Sequence, residues 1–321
     1  MKRKDLKPGW FYRLSQFFQE YFGFKVIKIP LHAGFSCPNR DGTLSTKGCS
    51  FCYNPSFNPL STFAPSIKDQ LKEALPGILK KNARALAYFQ TYSNTYGDVE
   101  VIKKLYMESL SLEGIIGLSV STRPDCLDNA VLDFLQQLAE KYHIWLELGL
   151  QTAHNETLRR INRCHTVEHF VDAVERSRKR GIFICAHLII GLPGETIKEM
   201  EDTINFVNNI GIDGLKFHHL QVVKGTALED EYKKGLVNTY SQEDYLQVLC
   251  HLLELTNPRL ILHRLVGEVR EKNLLVAPRW TWSKGTFYQM LEKELVRRST
   301  YQGAKYNYDY SLILKFSEAL L

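Results

Sequence analysis

Apolar, β-branched runs alternate with amphipathic stretches about six times along this chain. The runs 25–32, 85–92, 115–121, 144–151, 182–190 and 213–220 read as strands. Between them, 66–81, 98–111, 127–142, 155–180 and 196–210 carry apolar positions at helical spacing, the fourth of these being broken near residue 164. Strand followed by helix, repeated in this way, predicts a parallel sheet with helices outside it. Ahead of the sheet, Trp10, Phe11, Leu14, Phe17, Phe18, Tyr21 and Phe22 form an amphipathic stretch that ends at Gly23, where a helix would be capped. Behind it, 241–256 and 284–299 read as helices, and 260–265 as a short additional strand. The chain thus divides into an N-terminal helical segment (1–24), a barrel-like body (25–225) and a C-terminal helical, basic extension (226–321).

The polar positions decide between an open doubly wound sheet and a barrel. In 144–151, Leu146, Leu148 and Leu150 alternate with Glu147, Gly149 and Gln151. Leu118 and Val120 alternate with Ser119 and Ser121, Ala186 and Leu188 with Cys185 and His187, and Leu215 and Phe217 with Lys216 and His218. A doubly wound sheet buries both faces in apolar contacts, so its strands read as continuous hydrophobic runs. One polar row in each of several strands predicts a partial (βα)6 TIM-like barrel, α/β in class, whose interior holds a polar ligand.

A chain of 321 residues with 44% apolar content is long enough for such a body with a short appendage. The start, Met1-Lys-Arg-Lys, develops no apolar core behind it, and no segment reaches membrane-spanning length. Seven cysteines without a paired framework argue for a reducing interior, hence a cytoplasmic protein. Between Arg259 and Tyr306, ten Lys or Arg face four Glu, which accounts for the whole net charge of +6. Trp280, Trp282, Phe287, Tyr288 and Tyr301 are interleaved there. Cations among flat rings suit phosphates and unstacked bases; a solvated helix face with core aromatics is the plainer reading.

Three of the cysteines are close together: Cys37, Cys49 and Cys52, separated by eleven residues and then two. A structural zinc site takes four protein ligands, and the nearest usable fourth is His32. An iron–sulfur cubane on three thiolates leaves one iron free for a small molecule. The spacing, a broad loop and a tight hook, leaves both open. Cys126, Cys164, Cys185 and Cys250 have no close neighbours among themselves and read as buried small residues rather than a second cluster.

In parallel αβ barrels the site collects at the C-terminal ends of the strands. The cysteine loop follows the first strand. The segment from Gln90 to Asn94 and Thr95 follows the second, Ser121-Thr-Arg123-Pro-Asp125 the third, Glu147 to Gln151 lie on the fourth, and Gly191-Leu-Pro193-Gly194 follows the fifth. Arg123, planar and always charged, suits a carboxylate. Glu147 and Gln151 suit hydroxyls, and the Gly191 turn lets backbone approach a flat ring.

These motifs, in this order over residues 25–225, resemble the radical S-adenosylmethionine (SAM) enzymes. Ser121-Thr-Arg-Pro-Asp125 and Glu147-Leu-Gly-Leu-Gln151, with Arg163 and His165 downstream, resemble the catalytic subunit of Elongator, a wobble-uridine modifier. The loop Cys37-Pro-Asn-Arg-Asp-Gly-Thr43, with Ala277-Pro278-Arg-Trp280 and Tyr301-Gln-Gly303, resembles the narrower YtqA/YhcC-type group. The Gram-positive branch of that group, the MnmL-like proteins, is implicated in converting the carboxymethylaminomethyl side chain of wobble uridine to aminomethyl. There are departures. The common cysteine spacing is three and two, Thr91-Tyr-Ser-Asn94 replaces the usual Gly-Gly-Glu, and Cys164 stands where the Elongator pattern has Gly.

The resemblance implies a [4Fe-4S] cluster on Cys37, Cys49 and Cys52, with S-adenosylmethionine on its fourth iron and on Asn94, Thr95, Ser121, Arg123, Glu147, Gln151, Arg163, Gly191 and Pro193. It implies a 5′-deoxyadenosyl radical as oxidant and a reductase, flavodoxin or ferredoxin as electron donor. The substrate would be transfer RNA, held through the basic segment around Arg279, Lys284, Arg297 and Arg298. Lys216, His218 and Lys224 are candidates to meet a substrate carboxylate. A protein or small-metabolite substrate is the first alternative, and a zinc-stabilised RNA-binding module without catalysis the second.

Overall fold

The structure is a computed structural model that describes residues 9–56 and 66–307. The charged start Met1 to Lys4 and residues 308–321 of the C-terminal extension lie outside the described residues. Seven parallel strands form one sheet in chain order: β1 (Val26–Leu31), β2 (Arg84–Phe89), β3 (Ile115–Thr122), β4 (His143–Gln151), β5 (Phe183–Ile190), β6 (Gly214–His219) and β8 (Ile261–Arg264). The crossovers carry α2 (Ile67–Leu79), α3 (Val99–Leu110), α4 (Asn129–Ala139), α5 (Asn155–Arg160) with α6 (Val167–Arg178), α7 (Ile197–Asn209), and finally α8 (Ala227–Lys233) with α9 (Gln242–Leu255). This is the α/β partial barrel. Its seventh strand lies within the stretch assigned to the C-terminal extension. The alternation of strands and helices did not disclose α8, or a small antiparallel ribbon of β7 (Val222–Val223) and β9 (Leu275–Ala277).

The alternating rows fall on the two faces they require. Leu118, Leu146, Leu148, Leu150, Ala186, Leu188, Leu215 and Phe217 are fully buried in the core between sheet and helices. A second, smaller core inside the barrel joins Phe17, Phe18, Val26, Leu86, Trp145, Cys185 and Ile261. It is built by α1 (Leu14–Phe22), which ends on Gly23 in the left-handed region at φ 76°. Phe17 meets Phe183 at 5.5 Å and Trp145 at 6.0 Å between ring centres. The aromatic helix therefore plugs the end of the barrel where the strands begin, and the polar cavity lies above the plug, toward the strands' C-terminal ends.

The C-terminal aromatics belong to the core, the plainer of the two readings that the sequence offered. Trp280 stacks on His219 at 3.9 Å and lies parallel to Phe287 at 5.8 Å, and its indole N–H donates to the Tyr240 carbonyl. Tyr288 packs on Phe11, and Trp282 on Phe287. These rings seal α10 (Lys284–Arg297) onto the rest of the molecule; of the five, Tyr301 is the exposed one. Arg297 and Arg298 both donate to Glu294, so two of the expected RNA-binding cations already hold a carboxylate. Lys284 lies 3.9 Å from Glu268, and Arg279 is exposed. Among the described residues no helix is long and apolar enough to cross a membrane.

Candidate active site

The eleven-residue spacing is accommodated by a loop that folds back on itself. The Cys37 carbonyl accepts from the amides of Arg40 and Asp41, the Pro38 carbonyl from Leu44, and the Asn39 carbonyl from Gly48 at 2.7 Å. The chain thereby returns Cys49 to the neighbourhood of Cys37, and Cys52 follows one turn later through its amide to the Cys49 carbonyl. Asn39, fully buried, donates to the Asn162 carbonyl at 2.6 Å and toward the Cys49 sulfur at 3.4 Å. Asn162 in turn donates to the Gly48 carbonyl, and the Ser50 amide to Ile161. The break between α5 and α6 is thus the dock for the cysteine loop.

That break has a backbone of its own. Asn162 and Cys164 sit in the left-handed region at φ 51° and 58°, and Arg163 between them reaches back to the Gly149 carbonyl at 2.9 Å and to within 3.5 Å of the Cys49 sulfur. The position where the Elongator pattern carries Gly therefore keeps the conformation that favours glycine, at a cost of about 1 kcal/mol for a side chain. Cys164 is exposed, which corrects its reading as a buried residue; Cys126, Cys185 and Cys250 are buried. Gly149 leaves room for this contact: a Cβ there would lie 2.5 Å from the Arg163 guanidinium.

Cys37, Cys49 and Cys52 line one cavity of about 240 Å³, together with Ser93, Ser121, Arg123, Glu147, Gln151, Arg163, His187, Lys216 and His218. Among the described residues no three His, Cys, Asp or Glu side chains are gathered as a site for a single metal ion. The donor set fits a cluster carrying its own positive charge. Burial and the adjacent Cys49, against the opposing Arg40, push the Cys52 thiol up to about 11, so this thiol ionises readily only against a cationic partner. Arg123, 2% exposed, gives two of its nitrogens to Asp125 at 2.7 and 2.9 Å, while its third, Nη1, is buried with no partner. An orphaned guanidinium N–H on a cavity wall is a donor waiting for a ligand's acceptor.

Below the rim the cavity ends in an ion network centred on Glu147, which is fully buried. Its Oε1 accepts from Lys28 and Ser119, each at 2.5 Å; its Oε2 accepts from Lys216 at 2.7 Å and Tyr88 at 3.2 Å and lies 2.6 Å from His187. Burial alone would raise this carboxyl, but Lys216, Lys28, His187 and His263 override it and hold it well below the usual carboxylate range. Burial lowers His187 to about 4, so its imidazole is neutral.

The placement of the expected residues is therefore uneven. Ser121, Arg123, Gln151 and Arg163 line the cavity beside the thiols. Glu147 and Lys216 line it as well, but they are bound to each other. Asn94 donates to the carbonyls of Phe89 and Ser121, Thr95 bonds Thr122 and the Cys126 carbonyl, and neither lines the cavity. In that segment Ser93, with an unpartnered buried hydroxyl, faces the cavity instead. The ring that approaches Gly191 is Tyr240, where a Cβ would lie at 2.8 Å, and Gly191 and Pro193 stand off the cavity. Lys224 is exposed outside it, whereas His218 lines it. Arg264, on β8, also lines the cavity; the sequence placed its strand in the C-terminal extension rather than in the barrel, which kept this residue out of the site.

The fold and the site together define a partial-barrel protein that carries its reagents at the C-terminal ends of the strands. The chain belongs to the radical SAM superfamily: a model described by that name matches residues 42–207, and the radical SAM C-terminal domain matches 212–297. Members use a [4Fe-4S] cluster and S-adenosylmethionine, which sets aside the zinc-module reading. The chain is 38% identical to the Bacillus subtilis (strain 168) protein YtqA over 299 residues, 91% of this chain and 92% of that protein. It is 28% identical to Elongator complex protein 3 of Bos taurus over 163 residues, 50% of this chain and 29% of that protein. The structure of an archaeal Elp3 from Methanocaldococcus infernus superposes with a TM-score of 0.66 at 16% identity, over 85% of this chain and 63% of that one.

Proposed function

We propose that this protein is a cytoplasmic radical SAM enzyme that acts on the wobble uridine of transfer RNA, converting a carboxymethylaminomethyl side chain to aminomethyl. The observation that carries the reading is the single cavity in which three thiols, an orphaned arginine donor and a cationic floor meet. The Elongator-like stretch supports the substrate class. In this reading Cys37, Cys49 and Cys52 hold the cluster. Arg123 offers Nη1 to the carboxylate of S-adenosylmethionine, and Ser93, Ser121, Gln151 and Arg163 offer the remaining polar contacts. When bound, cluster and S-adenosylmethionine supply abstraction of a hydrogen atom from an unactivated carbon.

The chain's own part is to position and to exclude. Asn39 and Arg163 fix the cysteine loop, the aromatic plug closes the barrel from below, and the Glu147 network fills its floor so that no bulk water enters from that side. Lys216 donates one N–H to Glu147 and another to Tyr88, and this keeps the floor charged without a free base. Nucleoside mass spectrometry of transfer RNA from cells lacking the gene tests the proposal: carboxymethylaminomethyl-uridine should accumulate and its aminomethyl descendants disappear. An unchanged wobble-uridine profile would refute the RNA substrate and favour a protein or metabolite.

A further inference from the structure

Gly149, His187, Lys216 and Arg264 are successive register partners on β4, β5, β6 and β8, one row across the sheet. Glycine contributes no side chain. His187 and Lys216 direct their polar atoms to Glu147. Arg264 lines the same cavity, is half-buried, and among the described residues its side chain makes no hydrogen bond or ion pair. The charges around it do not balance. Lys28 and Lys216 share the one carboxylate of Glu147, and Lys284 has Glu268 at 3.9 Å, so Arg264 is left as net positive charge within the cavity. Burial and then Arg264 depress both His218 and Lys284, as expected of groups facing a cation without a counter-ion.

We propose that Arg264 anchors a carboxylate on the substrate, receiving it on the planar fork of its guanidinium in the cavity that the three thiols also line. This inference rests on the radical SAM reading of that cavity and names the substrate class it accepts. It moves to Arg264 the role that Lys216, His218 and Lys224 suggested from sequence. Lys216 is held by Glu147, Lys224 stands outside the cavity, and His218, which lines it, is kept uncharged by burial and by Arg264.

The test uses anaerobic holoenzyme saturated with S-adenosylmethionine and titrated calorimetrically with two pairs of probes. One pair is an anticodon stem-loop RNA bearing carboxymethylaminomethyl- or aminomethyl-uridine; the other is N-benzylglycine and benzylamine. The native protein should prefer the carboxylate member of each pair by at least tenfold. Arg264→Gln should abolish that preference and Arg264→Lys retain part of it, with iron content and S-adenosylmethionine affinity as measures of an intact fold. An Arg264→Gln protein that is loaded and keeps the preference would overturn the inference, as would a native protein with no preference in either pair. If only the N-benzylglycine preference is present and depends on Arg264, the carboxylate site stands and the wobble-uridine reading fails. If both proteins prefer the carboxylate RNA equally, the converse holds.

Discussion

Replacing Glu147 by Gln removes one charge from the middle of a fully buried network and leaves Lys28 and Lys216 facing each other without a counter-ion. Glutamine keeps one acceptor, and its NH₂ must point at an ammonium group, so the loss includes a repulsive donor pair as well as the lost attraction. Removing one partner of a buried ion pair costs about 3–5 kcal/mol. For a chain of this size, that lowers the melting temperature by about 4–8 °C. Urea denaturation of the apoprotein, followed by far-ultraviolet circular dichroism, measures the cost. Lys216→Met in the Glu147→Gln background removes the surplus charge and should recover about 2 kcal/mol, a coupling that separate sites would not show. A loss below about 1 kcal/mol, or strict additivity of the two changes, would refute the network. If instead Glu147 bonded a hydroxyl of S-adenosylmethionine, the variant would lose affinity for that ligand with its stability intact.

Asp213 is pushed by burial up to about 6 while accepting the Ile184 amide at 2.8 Å. Its folded-state carboxyl holds a proton that the unfolded chain releases, so stability falls as pH rises from about 4 to 6 and stays low above it. Asp213→Asn should therefore stabilise the protein by up to about 3 kcal/mol at pH 7.5 and hardly at all at pH 4, compared by urea midpoints. Gly149→Ala would drive a methyl into the Arg163 guanidinium, and reconstituted iron content should fall several-fold with little change in secondary structure. Cys164→Gly should add about 1 kcal/mol in the same denaturation assay, by relieving the left-handed backbone, and leave iron content unchanged.

The barrel was legible because its period-two rows must separate core from cavity: Leu146, Leu148 and Leu150 could face only helices, and Glu147 and Gln151 only the interior. The cysteine loop was legible as a loop, but its shape depends on Asn39 meeting Asn162 across 123 positions of chain, which no local pattern encodes. Where individual side chains point was the weak part. Asn94 and Ser93 are adjacent rim residues, and only the turn geometry decides that Ser93 faces the cavity while Asn94 ties β2 to β3. The glycine motif at 191–194 misled because the ring that needs its space belongs to the protein itself. The C-terminal rings left two readings open because an amphipathic helix that seals a sheet and one that binds nucleic acid draw on the same residues.

The central claim is that this cavity performs radical SAM chemistry on a carboxylate-bearing wobble uridine. The most direct test is anaerobic incubation of the reduced holoenzyme with S-adenosylmethionine and transfer RNA carrying carboxymethylaminomethyl-uridine, followed by mass spectrometry of the nucleosides. The account predicts aminomethyl-uridine together with 5′-deoxyadenosine, and neither with Cys49→Ala. Cleavage of S-adenosylmethionine with the uridine untouched would contradict the substrate, and an intact S-adenosylmethionine with fully loaded protein would contradict the chemistry.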